Sequence, residues 1–283
     1  MEFGQISWTE WIESGRWLRA RDPELPVSSE LMDHALTLAA DTEVSVHQIV
    51  RLVSKEQVLA TRVLRLANSA SNAPVRPITT ITDATVRVGT EAVRHTLLAA
   101  CVASRMEAQT INARGGRQLL DHSIGTAYMA EFVATSVGAD PHEALVGGLL
   151  HDIGKLAILK LSVEAPGYRG PAPTSRQVER LIEERHPLVG AQLLRAWRLP
   201  DTLREPVLYH HRPDLAVLCT EQTTIVYVAN LLSHRYGFGC APDPERDLVA
   251  DPWVVQLGLD EAWLARIDAR AHERFAAARA LVA

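Results

Sequence analysis

The run Ala144-Leu145-Val146-Gly147-Gly148-Leu149-Leu150 ends abruptly in His151-Asp152, followed by Ile153-Gly154-Lys155. An imidazole and a carboxylate thus stand side by side at the end of a hydrophobic helix. Burying adjacent ionisable groups is costly unless each finds a partner. A fold that accepts this segment has to wrap it and supply those partners. One solution is a divalent cation, because neutral imidazole and carboxylate suit zinc, manganese or iron. The other is a hydrogen-bonded His-Asp pair inside a core. The pair alone leaves both open.

The rest of the chain reads as helical. Capping boxes mark helix starts at Ser45 with Gln48, Ser54 with Gln57, and Thr174 with Gln177. Val58, Leu59, Val63, Leu64 and Leu66 follow helical spacing rather than alternation, and Val86, Val88, Val93, Leu97 and Leu98 extend it on either side of Gly89-Thr90. Breaks fall at Pro74 to Pro77, Asn112 to Gly116 and the Pro/Gly-rich stretch from Pro166 to Pro173. No sustained strand alternation, heptad array or internal repeat is present, so the expected class is all-α.

The organisation follows from the breaks. Residues 1–24 are expected to form an N-terminal helical extension in which Trp8 and Trp11 share a face, packed on the main body or offered to a partner. Residues 25–108 form a first helical lobe and residues 117–236 a second, within one unit over 25–236. The first lobe is expected to meet the second through Leu64–Ala70. Residues 241–283 read as a linker, from Ala241 to Pro252, and a final amphipathic helix holding Trp253, Leu257, Trp263 and Ile267.

Histidines recur at the ends of helices in the second lobe. His122 stands early in one helix, His151-Asp152 closes the next, His186 opens another in Arg185-His186-Pro187, and His210-His211 form a doublet in a further helix started at Pro200-Asp201. Each comes from a different helix, which is how bundles assemble polar or metal sites in their interiors. Singly, such histidines are ordinary core or surface residues; as a set with a carboxylate they point to one site. Lys155, one turn past Asp152, reads either as its counter-ion, as a phosphate contact or as an exposed side chain. His34, His47, His95, His142, His234 and His272 sit in charged or variable surroundings and read as surface residues.

These stretches, with Leu25-Pro26, Val58 to Ala70 (containing Leu66-Ala67-Asn68-Ser69), Ile78 to Ala84, His186-Pro187-Leu188-Val189-Gly190 and Trp197-Arg198-Leu199-Pro200, resemble the HD superfamily of metal-dependent phosphohydrolases. Within it the resemblance is closest to the HDOD (HD-related output) domain, over roughly residues 22–236. It implies a two-lobed helical bundle with an HD-like C-terminal lobe. It also implies a ligand order of His122, His151, Asp152, His186, His210 and His211 for a divalent metal: manganese, iron, zinc or magnesium. The last position departs from the pattern. Asn230 stands where a catalytic HD enzyme would carry aspartate, and an amide supplies neither negative charge nor a general base.

HDOD resemblance implies a bacterial signalling output, non-catalytic and acting through contacts with two-component or cyclic di-GMP pathway proteins. The alternative is a metal-dependent phosphohydrolase of nucleotides or cyclic dinucleotides. Composition narrows the field. The net charge of −5 and absence of a basic block argue against direct nucleic-acid binding. No apolar run reaches the roughly 18 residues a bilayer requires. Cys101, Cys219 and Cys240 are odd in number and far apart, as expected of reduced thiols in a cytoplasmic protein.

Overall fold

A computed structural model describes residues 6–19, 67, 78–90, 93, 113–163, 165, 168–196, 199–273 and 275–276. Every regular element among the described residues is a helix. We number the α-helices in chain order: α1 (Trp8–Glu13), α2 (Ile81–Val88), α3 (Ala113–Val137), α4 (Pro141–Leu150), α5 (Ile153–Val163), α6 (Ser175–Ala196), α7 (Asp201–Tyr209), α8 (Thr220–Tyr236), α9 (Pro252–Gln256) and α10 (Glu261–Asp268). Short 3-10 turns cover Arg16–Arg19 and Pro213–Leu215. None of the described helices is long and apolar enough to cross a membrane.

The middle of the chain forms the body. Helix α3 packs on α4 and α8, α6 on α5 and α7, and α7 closes the set by touching α4 and α8. The α4 run is buried at Ala144, Val146, Leu149 and Leu150, which stabilises the fold by about 1.5–3 kcal/mol for each large side chain. Two glycines permit the tight approach. A Cβ on Gly148 would lie 2.7 Å from the Thr126 carbonyl oxygen of α3, and one on Gly154 would lie 1.9 Å from that of His186 on α6. The His151-Asp152 turn is therefore clamped between α3 and α6.

The N-terminal extension packs on this body. Ser7 and Glu10 form a capping box at the start of α1, and Trp8 and Trp11 stack with ring centroids 5.4 Å apart. Both belong to the same buried cluster as Leu150, Leu156 and Leu193. The Glu13 carboxylate pairs with Arg185, and Gln192 donates to the Glu13 carbonyl (2.8 Å). The Thr174–Gln177 capping box forms as expected at α6.

The C-terminal region differs from the single helix expected. Gly258, with φ +69°, stops the chain after α9, and Asp260 caps a separate α10 by accepting the Trp263 N–H (2.7 Å). A left-handed glycine followed by an acidic N-cap divides what the apolar spacing joins. The Ala241–Pro252 stretch is made of turns, yet Leu248 is buried beside Val254 and Trp263. Residues 25–108 lie mostly outside the described set, as do the Ser45 and Ser54 caps. Of the Leu64–Ala70 segment only Ala67 is described, helical and buried.

Candidate metal centre

Five helices or their ends bring the predicted residues together. His122 projects from α3, His151 and Asp152 from the α4–α5 turn, His186 from α6, His210 and His211 from the end of α7, and Asn230 from α8. Asp152 is 1% exposed and His151 and His210 are fully buried. Asp152 Oδ2 lies 3.7 Å from His122 Nε2 and 3.3 Å from His151 Nε2. Its other oxygen, Oδ1, lies 3.2 Å from His186 Nε2 and 3.7 Å from His210 Nε2. One carboxylate thus faces two groups of donors: His122, His151 and Asp152 on one side, His186, His210 and His211 on the other.

The ring orientations fix what these nitrogens offer. Nδ1 points at a main-chain carbonyl in His122 (Phe238, 3.1 Å), His151 (Gly148, 2.7 Å), His186 (Ile182, 2.5 Å) and His210 (Val207, 2.9 Å). A carbonyl oxygen only accepts, so each Nδ1 carries the hydrogen. In a neutral ring Nε2 is then a bare lone pair, the form in which imidazole binds a metal. Burial, aided by repulsion from His151, holds His122 neutral with its pKa lowered to about 3. The same causes push His210 well below the ordinary value, while burial and His186 bring His211 to about 4. Burial raises the Asp152 carboxyl, but His151, His186 and Lys155 outweigh it and keep the group ionised, well below the usual range.

Several contacts make sense with a cation between the partners. His186 Nε2 stands 3.2 Å from both His210 Nε2 and His211 Nε2. The His186 and His210 nitrogens each present a lone pair and repel at that distance. His151 Nε2 and Asp152 Oδ1 are buried without a hydrogen-bond partner, an expensive state for polar atoms. Donors at about 2.0–2.2 Å from one ion lie roughly 3–3.5 Å from each other, and within the groups the His151–Asp152, His186–His210 and His186–His211 distances are 3.2–3.3 Å while His122–Asp152 is 3.7 Å. The donor set therefore fits a divalent metal. Asn230 Oδ1 lies 3.0 Å from His122 Nε2, so the amide borders the first group and adds no charge to it.

A sequence profile of the HDOD domain matches residues 25–213. The chain belongs to the HDOD domain family. Among solved structures, the HDOD chain is similar to an HDOD domain protein of unknown function from Geobacter sulfurreducens, with 24% identity and a TM-score of 0.72, covering 95% of this chain and 97% of that one. It is also similar to a candidate metal-dependent phosphohydrolase from Shewanella amazonensis, with 15% identity and a TM-score of 0.70, covering 97% and 99%. At these identities the likeness concerns the fold. Among sequence relatives, an uncharacterised Treponema pallidum protein is 27% identical over 200 residues, 67% of this chain and 37% of that protein. Ribonuclease Y of Thermosipho melanesiensis is 30% identical over 118 residues, 42% of this chain and 19% of that enzyme.

The HDOD chain also holds one histidine at the centre that the sequence reading placed on the surface. His234 is half-buried, its ring centroid 5.0 Å from that of His122 and its Nδ1 3.4 Å from Cys240 Sγ. Its charged neighbour Arg235 suggested solvent, but Asn230 and His234 are one helical turn apart and share a face of α8. That spacing was the available signal. His272 is exposed as expected. His34, His47 and His95, like the His142 side chain, lie outside the described residues. Lys155 donates to Asp152 Oδ2 at 2.6 Å with its side chain 27% exposed, so it serves as counter-ion and reaches the rim.

Proposed function

We propose that this HDOD chain is a signalling output module whose buried centre binds a divalent metal and does not turn over phosphodiesters. The observation that carries this reading is the charge balance of the centre. Among the described residues, Asp152 is the carboxylate of the donor groups, and Lys155 already pairs with it. Two divalent ions would add four positive charges to an assembly held by imidazoles and one neutralised anion. Asn230 offers an uncharged oxygen where a second carboxylate would offset part of that charge. A bound divalent ion supplies Lewis-acid polarisation of a phosphoryl oxygen. Among the described residues, the donor groups hold no carboxylate besides Asp152 to take up a proton.

Partners in two-component or cyclic di-GMP pathways fit a module of this kind. A candidate signal transduction protein from Marinobacter aquaeolei, similar in fold with 16% identity and a TM-score of 0.67, supports the signalling side. A hydrolase reading is favoured by one feature, the division of the two Asp152 oxygens between the two donor groups. Elemental analysis of protein purified without chelator or histidine tag, followed by cyclic di-GMP turnover with manganese, separates the two. Bound metal with no turnover supports the signalling module. Robust turnover abolished by Asp152→Ala assigns the hydrolase, and protein free of metal that also fails to take up added ions rejects the metal centre.

A further inference from the structure

His211 differs from the other histidines of the centre. The four discussed above are oriented by a carbonyl on Nδ1. His211 is partly exposed, and its described side-chain bond runs through Nε2 to His186 (3.2 Å). Its ring lies against those of His210 and His186, centroids 4.1 and 5.2 Å away, and with no carbonyl on Nδ1 its placement there also depends on the backbone of the loop that it opens, residues 211–219.

That loop is tied down by a side chain outside the centre. Glu205 lies on α7, upstream of His210, and its carboxylate accepts the N–H of Val217 (2.9 Å), that of Leu218 (3.0 and 3.1 Å to its two oxygens) and that of Cys219. These groups lead into α8, whose N-cap residue, Cys219, makes no side-chain cap of its own. An anion here also complements the N-terminal end of the α8 dipole. The loop is therefore closed on the helix that starts it: α7 fixes one end through His210, and Glu205 fixes the other. Inside it, Arg212 N–H donates to the Tyr209 carbonyl (2.8 Å) and Ala216 N–H to that of Pro213 (3.1 Å). Pro213 is buried, but exposed Leu215, Val217 and Leu218 leave the second half of the loop little apolar anchorage.

We propose that Glu205 is a positioning residue for His211 and, through it, for metal binding by the His186, His210 and His211 group. The metal part rests on the reading of the centre given above; the positioning part does not. Outer-sphere partners of this sort are worth 10–100-fold in metal affinity, because a ligand that wanders has to be re-ordered on binding.

Two arms test it on the full chain. In the first, metal-free protein is titrated with zinc(II) by calorimetry. Glu205→Ala should weaken zinc binding by roughly tenfold or more, in the same sense as His211→Ala. Glu205→Gln, which keeps an acceptor oxygen, should fall between. Adding Glu205→Ala to His211→Ala should change nothing further, the non-additivity expected of residues acting as one unit. In the second arm, carbethoxylation of His211 is followed by peptide mass spectrometry without metal. Its rate should rise at least threefold in Glu205→Ala and stay level in Arg212→Ala, which removes only the exposed Arg212–Asp214 pair. Additive zinc losses, or an unchanged His211 rate in Glu205→Ala, overturn the proposal. Should the natural protein take up no zinc, the metal reading fails, and the His211 rate still decides the role of Glu205.

Discussion

The chemistry of the centre turns on single atoms. His122 has a folded pKa of about 3 against an ordinary 6.5, so the unfolded state binds the extra proton first. Stability is therefore complete above pH 6.5 and is lost as the pH falls toward 3, by about 1.4 kcal/mol per unit for one such group. His210 and His211 shift in the same direction. Metal-free protein should melt at a clearly lower temperature at pH 5.5 than at pH 7.5, before most carboxylates titrate; equal melting temperatures would mean the rings are charged in the fold. Asn230→Asp should tighten metal binding by about tenfold or more, since a charged oxygen would replace a neutral one in a site short of anions, and calorimetry reads this directly. The histidines themselves were legible from their recurrence on successive helices beside a carboxylate, although His122 and His186 lie inside α3 and α6 rather than at their ends. Their tautomers were partly legible too: the carbonyls on His151, His186 and His210 lie three or four residues upstream, where helical geometry puts them. The Phe238 carbonyl on His122 is a contact across 116 residues, and no local rule finds it.

At the scale of helices, position is set by how closely backbones approach. Gly154→Ala would drive a Cβ against the His186 carbonyl oxygen, where no rotamer change can help. We expect a loss of about 3 kcal/mol or more in urea unfolding, with weakened metal binding because α6 carries His186. Gly147→Ala is the control: its Cβ meets a Val226 methyl at 3.1 Å, and the gain of roughly 0.8–1 kcal/mol in helix propensity offsets that crowding. A Gly147→Ala variant as damaged as Gly154→Ala would refute this account. The helices around the histidines were read from the apolar run ending at Leu150, the Thr174 cap and the breaks between them rather than from periodicity. Periodicity failed after Pro252, where Trp253, Leu257, Trp263 and Ile267 suggested one helix and Gly258 with Asp260 makes two. The capping box at Ser7 and Glu10 follows the ordinary Ser-x-x-Glu pattern and was legible in hindsight.

Across the whole molecule, the N-terminal extension is part of the structure it covers. Trp17 is fully buried and donates its Nε1–H to the Ile12 carbonyl at 3.1 Å. Trp17→Ala should cost about 3–5 kcal/mol, visible as a lower urea midpoint shared by probes of the N-terminal segment and of α6. Separate transitions would show that the extension unfolds alone. The Trp8 and Trp11 face is consequently covered by the body and is not offered to a partner. The Asp152–Lys155 pair has a different consequence. The residues of the candidate centre, from His122 to Asn230, leave the ribosome over roughly 110 residues of synthesis, a matter of about 5–20 s at ordinary elongation rates. During that interval no complete coordination sphere exists, and a buried carboxylate without a counter-charge would stall the collapse of α4 and α5. The ammonium of Lys155 acts as a placeholder, three residues away and always present. Folding and metal loading thereby become separable events, unlike in small zinc domains that collapse only around their ion. A fold finished in this way could take up a metal later, without new synthesis.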